Sequence, residues 1–233
     1  MLIAAAVCPH PPLLVPEVTG ASDPAASELD RLRTACRDAV AVLIGAAADL
    51  LVVAGGAGQT DEYPALAGGS LRDFGVPFTV GADPVLPLSL TIGKWLLAGV
   101  VPPRPPVTWQ GIASGMATAD CLSLGEKLAA LAPRVALLAM GDGPGRRARG
   151  VPGATDPGAD GYDGQVAAAL AAADPGALAA LDPGRDQELF VAGRAAWQVL
   201  AGAASAGAFT ADLHYAAAPF EVSYYVATWV RAH

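Results

Sequence analysis

The alternation of short apolar runs with helical periodicity constrains this chain most. Leu2 to Val7, Leu50 to Ala54 and Val135 to Met140 are strand-like, and apolar residues recur at helical spacing between them. That alternation is the signature of an α/β layered fold. Leu50 to Ala54 is apolar throughout, which predicts a central strand covered on both faces. A right-handed crossover sets it parallel to the first strand in the same sheet. Asp23-Pro24 opens a long helix, with Asp as N-cap and Pro at the first helical position. Leu29, Leu32, Cys36, Val40 and Leu43 then mark its apolar face.

The rest of the chain reads less regularly. Gly55 to Gly75 is expected to be a loop with some order, and Leu88 to Leu97 a short helix interrupted by Gly93. Val101 to Pro106 is a proline-rich connection into a strand at Val107 to Ile112. Cys121, Leu124, Leu128 and Leu131 mark the next helix, and Gly141 to Gly161 is expected to be a mobile surface loop. Asp174-Pro175 and Asp182-Pro183 each repeat the capped start, so two more helices begin there, the second running to about Ala204. Two strands broken near Ala216 to Pro219 complete the tail. No linker separates these elements, so residues 1–233 are expected to form one domain.

Composition narrows the function classes. A chain of 233 residues buries a large core without disulfides or metal. Hydrophobic residues make up 53%, yet no apolar run approaches the roughly 18–20 residues of a membrane span. The N-terminus lacks the basic region and cleavage site of a signal peptide, so a cytoplasmic location and no membrane partner are expected. Cys8, Cys36 and Cys121 are odd in number and widely spaced, which fits reduced thiols. The net charge of −8 argues against nucleic acid, and Arg146, Arg147 and Arg149 form the one dense basic cluster. A homodimer is the expected assembly.

Sites in open α/β sheets lie outside the carboxyl ends of strands. The first strand ends in Cys8-Pro9-His10-Pro11-Pro12, the second in Gly55-Gly56-Ala57-Gly58, and the later one in Gly141-Asp142-Gly143-Pro144-Gly145. All three are expected to converge on one crevice. His10 is one of only three histidines. The flanking prolines hold it out from a stiff, extended segment, as a metal ligand or general base would be presented. The plainer alternative is a turn histidine bonded to a nearby carbonyl. Asp142 is open to three readings: ligand, orienting carboxylate, or turn residue. The Gly55–Gly58 stretch suits a phosphate cradle in composition but lacks the P-loop lysine and the dinucleotide spacing.

Cys8 to Glu17 resembles the start of the LigB-like class III extradiol ring-cleavage dioxygenases. Gly141-Asp142 after an apolar strand looks like that family's later strand-end motif. Ala218 to Ala227 resembles the C-terminal segment of its small actinobacterial members. The resemblance implies a three-layer α/β/α sandwich with a central mixed, mostly parallel sheet. It also implies Fe(II) held by two histidines and a carboxylate, with a further histidine as acid/base. His10 falls on the first iron-binding histidine. Ala57 stands where active relatives carry the second, and Gly145 where they carry the acid/base histidine. Asp212 and Glu221 are the nearest candidates for the carboxylate ligand, and His214 for a substitute imidazole.

The resulting expectation is a dioxygenase-like protein with an incomplete Fe(II) site. It would be weakly active or non-catalytic and would bind a small aromatic or polar molecule in the ancestral crevice. Two alternatives stay open. One is an active metal-dependent dioxygenase using His10, His214 and Glu221 or Asp212. The other is a structural or interaction protein using the fold as a scaffold.

Overall fold

A computed structural model describes residues 1–19, 26–100, 105–145 and 157–232. The described strands are β1 (Leu2–Cys8), β2 (Leu50–Ala57), β3 (Asp61–Tyr63), β4 (Gly69–Ser70), β5 (Thr79–Val80), β6 (Val107–Ala113), β7 (Val135–Met140), β8 (Phe209–Ala217) and β9 (Tyr224–Arg231). The helices are α1 (Ala26–Gly45), α2 (Leu88–Ala98), α3 (Thr118–Ala129), α4 (Pro157–Ala172), α5 (Pro175–Ala179), α6 (Pro183–Leu189) and α7 (Arg194–Ala204).

Seven strands form one sheet in the order β3-β6-β2-β7-β1-β9-β8, and β4 pairs with β5 apart from it. The central strands β6, β2, β7 and β1 are mutually parallel; β3 and β9 flank them antiparallel, and the edge strand β8 pairs antiparallel with β9. β1 and β2 are parallel, as the crossover argument predicts, but β7 lies between them. All six residues of β7 are buried, as expected for a strand covered on both faces. One face packs on α1 and α2 through Leu32, Cys36, Val40, Leu90 and Leu97. The other packs on α3, α4, α5 and α7 through Cys121, Val166, Leu178 and Trp197. The architecture is therefore the three-layer α/β sandwich.

Several elements depart from their sequence reading. Gly55–Ala57 are the last residues of β2 and pair with Gly111–Ala113 of β6. The ladder thus uses backbone groups that a phosphate cradle would need free. The order expected in the segment to Gly75 takes the form of the short strands β3 and β4. α2 continues through Gly93, where a Cβ would lie 2.9 Å from Val53 Cγ1, so this glycine permits close approach to β2 rather than breaking the helix. Leu131 lies beyond α3 and is exposed. The expected surface loop ends early: Gly141, Gly143 and Pro144 are buried, and Gly161 sits within α4. Residues 146–156, the Asp23-Pro24 cap, His233 and most of the 101–106 connection lie outside the described residues.

The helix expected from Asp182 to Ala204 is two helices. Asp174 and Asp182 do cap α5 and α6, accepting N–H groups from Ala177 at 3.0 Å and Gly184 at 2.8 Å. Phe190 then turns into the left-handed region, with φ of 56°, and ends α6. The break brings Val191–Gly193 against the end of β7. Helical periodicity could not show it, because apolar spacing carries on across the turn.

Candidate functional site

Cys8 and Gly55 both register with Met140, so the carboxyl ends of β1, β7 and β2 lie side by side. The Gly141 N–H extends the pairing by donating to the Cys8 carbonyl at 3.0 Å. One residue on, the Asp142 carboxylate accepts the His10 backbone N–H at 2.7 Å. Pro9, Pro11 and Pro12 have no amide hydrogen, so His10 carries the only backbone donor of this stretch. The convergence expected from three strand ends is present, with His10 and Asp142 at its centre.

His10 is 8% exposed, and its Nδ1 is buried without a hydrogen-bond partner. Nδ1 lies 3.6 Å from the Asp142 oxygen that already holds the backbone of His10. That is beyond a good hydrogen bond. The carboxylate is nevertheless the nearest charged group to Nδ1. Tyr224 opens β9 beside β1 and is buried. Burial, reinforced by the Asp142 charge, pushes its hydroxyl pKa up, so it stays a neutral donor.

The floor is built from close approaches. The Ser89 hydroxyl donates to the Gly56 carbonyl at 2.7 Å, tying the first turn of α2 to the end of β2. The Asp142 carbonyl accepts the Ala192 N–H at 3.1 Å. A Cβ on Gly141 would lie 2.5 Å from Gly193 Cα, and one on Gly193 would lie 2.2 Å from the Trp197 ring. Only glycine fits either position. On the outer side, Gly143 donates to Ser223, Ser223 to Pro144, and Gly145 to Leu189, at 2.7–3.0 Å.

Behind the floor lies a buried polar network. Arg194 begins α7 and is 2% exposed. Its Nε donates to Asp186, and its Nη atoms donate to the Met116 and Ser114 carbonyls and to Gln198. The Tyr162 hydroxyl completes Asp186 at 2.7 Å. Burial raises the Asp186 pKa, while Tyr162 and Arg194 oppose that rise. This network fastens the Val191–Gly193 turn to the loop after β6. Cys36 is another buried neighbour: hydrogen bonding with Cys8, then burial, pushes its thiol pKa up, which suits packing rather than nucleophilic chemistry.

His10 and Asp142, read from separate strand ends, do meet, while Gly55 and Gly56 end β2 with β7 between them and β1. Sequence reasoning missed Tyr224, Ser89 and Arg194. Tyr224 lay within the quoted C-terminal motif, but its pairing next to β1 is a tertiary fact. The proposed extra ligands do not gather around His10. Asp212 and His214 sit on β8, two strands from β1, roughly 10 Å away at normal strand spacing. His214 Nε2 instead bonds Thr228 Oγ1 at 2.9 Å, and its Nδ1 lies 4.0 Å from Asp212. Glu221 is exposed in the turn before β9, with φ of 59°. Ala57 and Gly145 offer no side-chain donor. Among the described residues, no group of three or more His, Cys, Asp or Glu side chains is placed to hold a metal ion.

Asp142→Ala is expected to cost about 1.5–3 kcal/mol, because a partly buried N–H loses a charged acceptor. Asp142→Asn keeps an acceptor and should cost less. Urea denaturation of the two variants checks the order, and equal losses would count against the His10 bond as the cause.

No family model matches this chain, and no curated protein matches it. Among solved structures, the chain is similar to the crystal structure of the uncharacterized protein JW3007 from Escherichia coli K12. The TM-score is 0.54 at 15% sequence identity, covering 97% of this chain and 99% of that one. That likeness concerns the fold alone. Among the described residues, no helix is long and apolar enough to cross a membrane.

Proposed function

We propose that this chain is an extradiol-dioxygenase-like protein with an incomplete Fe(II) site. It binds a small aromatic or polar molecule where β1, β2 and β7 end, with ring cleavage weak or absent. The supporting observation is the single imidazole at that junction. His10 faces Asp142, while Ala57 and Gly145 occupy the positions where the resemblance calls for the other histidines. Fe(II) does not fit this donor set, so no chemical step is assigned to it.

What remains suits recognition. The His10 imidazole and the Asp142 carboxylate can take part in hydrogen bonds with a ligand, and the Tyr224 phenol is a neutral donor. A hydroxylated ring or small polar molecule matches that pattern.

The test is anaerobic reconstitution with Fe(II), quantification of bound iron, and absorbance assays of ring opening over a panel of catechols. We expect no stable iron retention and no ring-opened product. We also expect saturable thermal stabilisation of the metal-free protein by a catechol, lost in His10→Ala. A ligand at a hundredfold its Kd stabilises by about 2.7 kcal/mol, which a melting curve resolves. Near-stoichiometric iron with turnover that His10→Ala abolishes would sink the proposal. The absence of any ligand-induced stabilisation would favour a scaffold instead.

A further inference from the structure

A cavity lies at the end of the sheet opposite His10. Its volume is about 390 Å³, and it is lined by Met1, Ile3, Ala46, Val230, Arg231, Ala232 and Arg134. Those residues sit around the amino ends of β1 and β7 and the end of β9, away from the strand ends that carry His10.

Both arginines are held in place by backbone carbonyls. Arg134 donates from Nε to Ala47 at 3.1 Å and from Nη2 to Ala46 at 2.9 Å. Arg231 donates from Nη1 to Leu2 at 3.1 Å and from Nη2 to Ala206 at 3.0 Å, and its guanidinium lies over the Phe209 ring. Each guanidinium has five N–H donors, so each keeps donors to spare. Among the described residues neither is ion-paired. Asp49 bonds the backbone N–H of Arg134 at 3.0 Å instead. The chain carries 22 acidic against 14 basic residues, so two guanidiniums beside the Met1 ammonium, none of them paired with a carboxylate among the described residues, are not explained by scarcity of acids.

We infer that this cavity binds a small amphiphilic monocarboxylate. The two preorganised guanidiniums match the carboxylate fork. Met1, Ile3, Val230 and the alanines match an apolar tail. The bland alternative is that the arginines only brace the loop ends; Arg134 beside the last turn of α1 is favourable there on electrostatic grounds alone. Bracing needs the backbone bonds but gives no ligand preference.

Calorimetric titration of the full chain with octanoate, 1-octanol and inorganic phosphate separates the two. Octanoate should saturate one site, with octanol and phosphate each at least about tenfold weaker, since losing either the charge pair or the apolar contact is worth that much. Arg134→Gln and Arg231→Gln should each weaken octanoate about tenfold and leave octanol unchanged. Arg231→Lys keeps the charge but loses the fork, so it should weaken octanoate less than Arg231→Gln does. If the Gln variants fail to fold, the octanoate-to-octanol ratio on the wild-type chain decides. His10→Ala should bind octanoate normally, which keeps this site distinct from the one proposed above. Octanol or phosphate binding as tightly as octanoate, no saturable octanoate binding, unchanged binding in folded Gln variants, or loss in His10→Ala would each overturn the inference.

Discussion

Arg194→Ala is expected to destabilise the fold by about 3–5 kcal/mol, since it leaves Asp186 as an uncompensated buried charge. Asp186 is 6% exposed, and only the Tyr162 hydroxyl would remain on its carboxylate among the side chains that now bind it. The Met116 and Ser114 carbonyls and the Gln198 amide would lose their donor at the same time. For a chain of this size the melting temperature should fall by roughly 6–20 °C. Arg194→Met combined with Asp186→Leu should recover much of the loss, because removing both charges removes the desolvation cost with them. If Arg194→Ala melts within about 1 kcal/mol of wild type, the network is not the brace described above. A second readout locates the effect. Amide exchange at Ala192 and Gly193 should quicken in Arg194→Ala, because the turn they form is fastened by this residue.

Trp197→Ala is expected to cost a similar amount, about 3–5 kcal/mol, the usual range for emptying a buried aromatic site. Trp197 is fully buried and meets Tyr225 edge-on, with ring centroids 5.7 Å apart. It also supports the Gly141 and Gly193 close approach beneath Asp142. Its indole Nε1 is buried without a partner. Trp197→Phe therefore loses volume but also removes an unsatisfied donor, and these oppose each other. The Phe variant should lie far closer to wild type than the Ala variant. Chemical denaturation of both measures the gap. A Phe variant as unstable as Ala would mean that the indole N–H has a partner in solution.

The two halves of the candidate site were unequally legible. His10 announced itself because three prolines around it dictate an extended backbone and remove every competing amide donor. Asp142 was legible as a strand-end residue but not as the acceptor of that amide. The expected ligand set of His10, His214 and Asp212 or Glu221 rested on residue type. It did not survive placement, since β9 intervenes between β1 and β8. The Gly55–Ala57 stretch read as a loop because glycine is rare inside strands. Here glycine permits the approach of Ser89, with a Cβ on Gly55 falling 2.7 Å from its hydroxyl.

The amino-acid order by itself determined most of the central strands and the helices packed on them, and hence a layered α/β fold; β3, β4, β5 and α4 were not legible in it. The legible features follow from hydrophobic period, capping residues and proline, all of which act over a few residues. Only the tertiary structure decided that β7 lies between β1 and β2, that His10 meets a carboxylate 132 positions away, and that Arg194 pairs with Asp186 across the break at Phe190. A single hydrophobic pattern is compatible with several strand orders, because each buries the same apolar faces. The choice among them comes from contacts between distant residues: glycines that let backbones touch, and buried polar groups that must find partners once water is excluded.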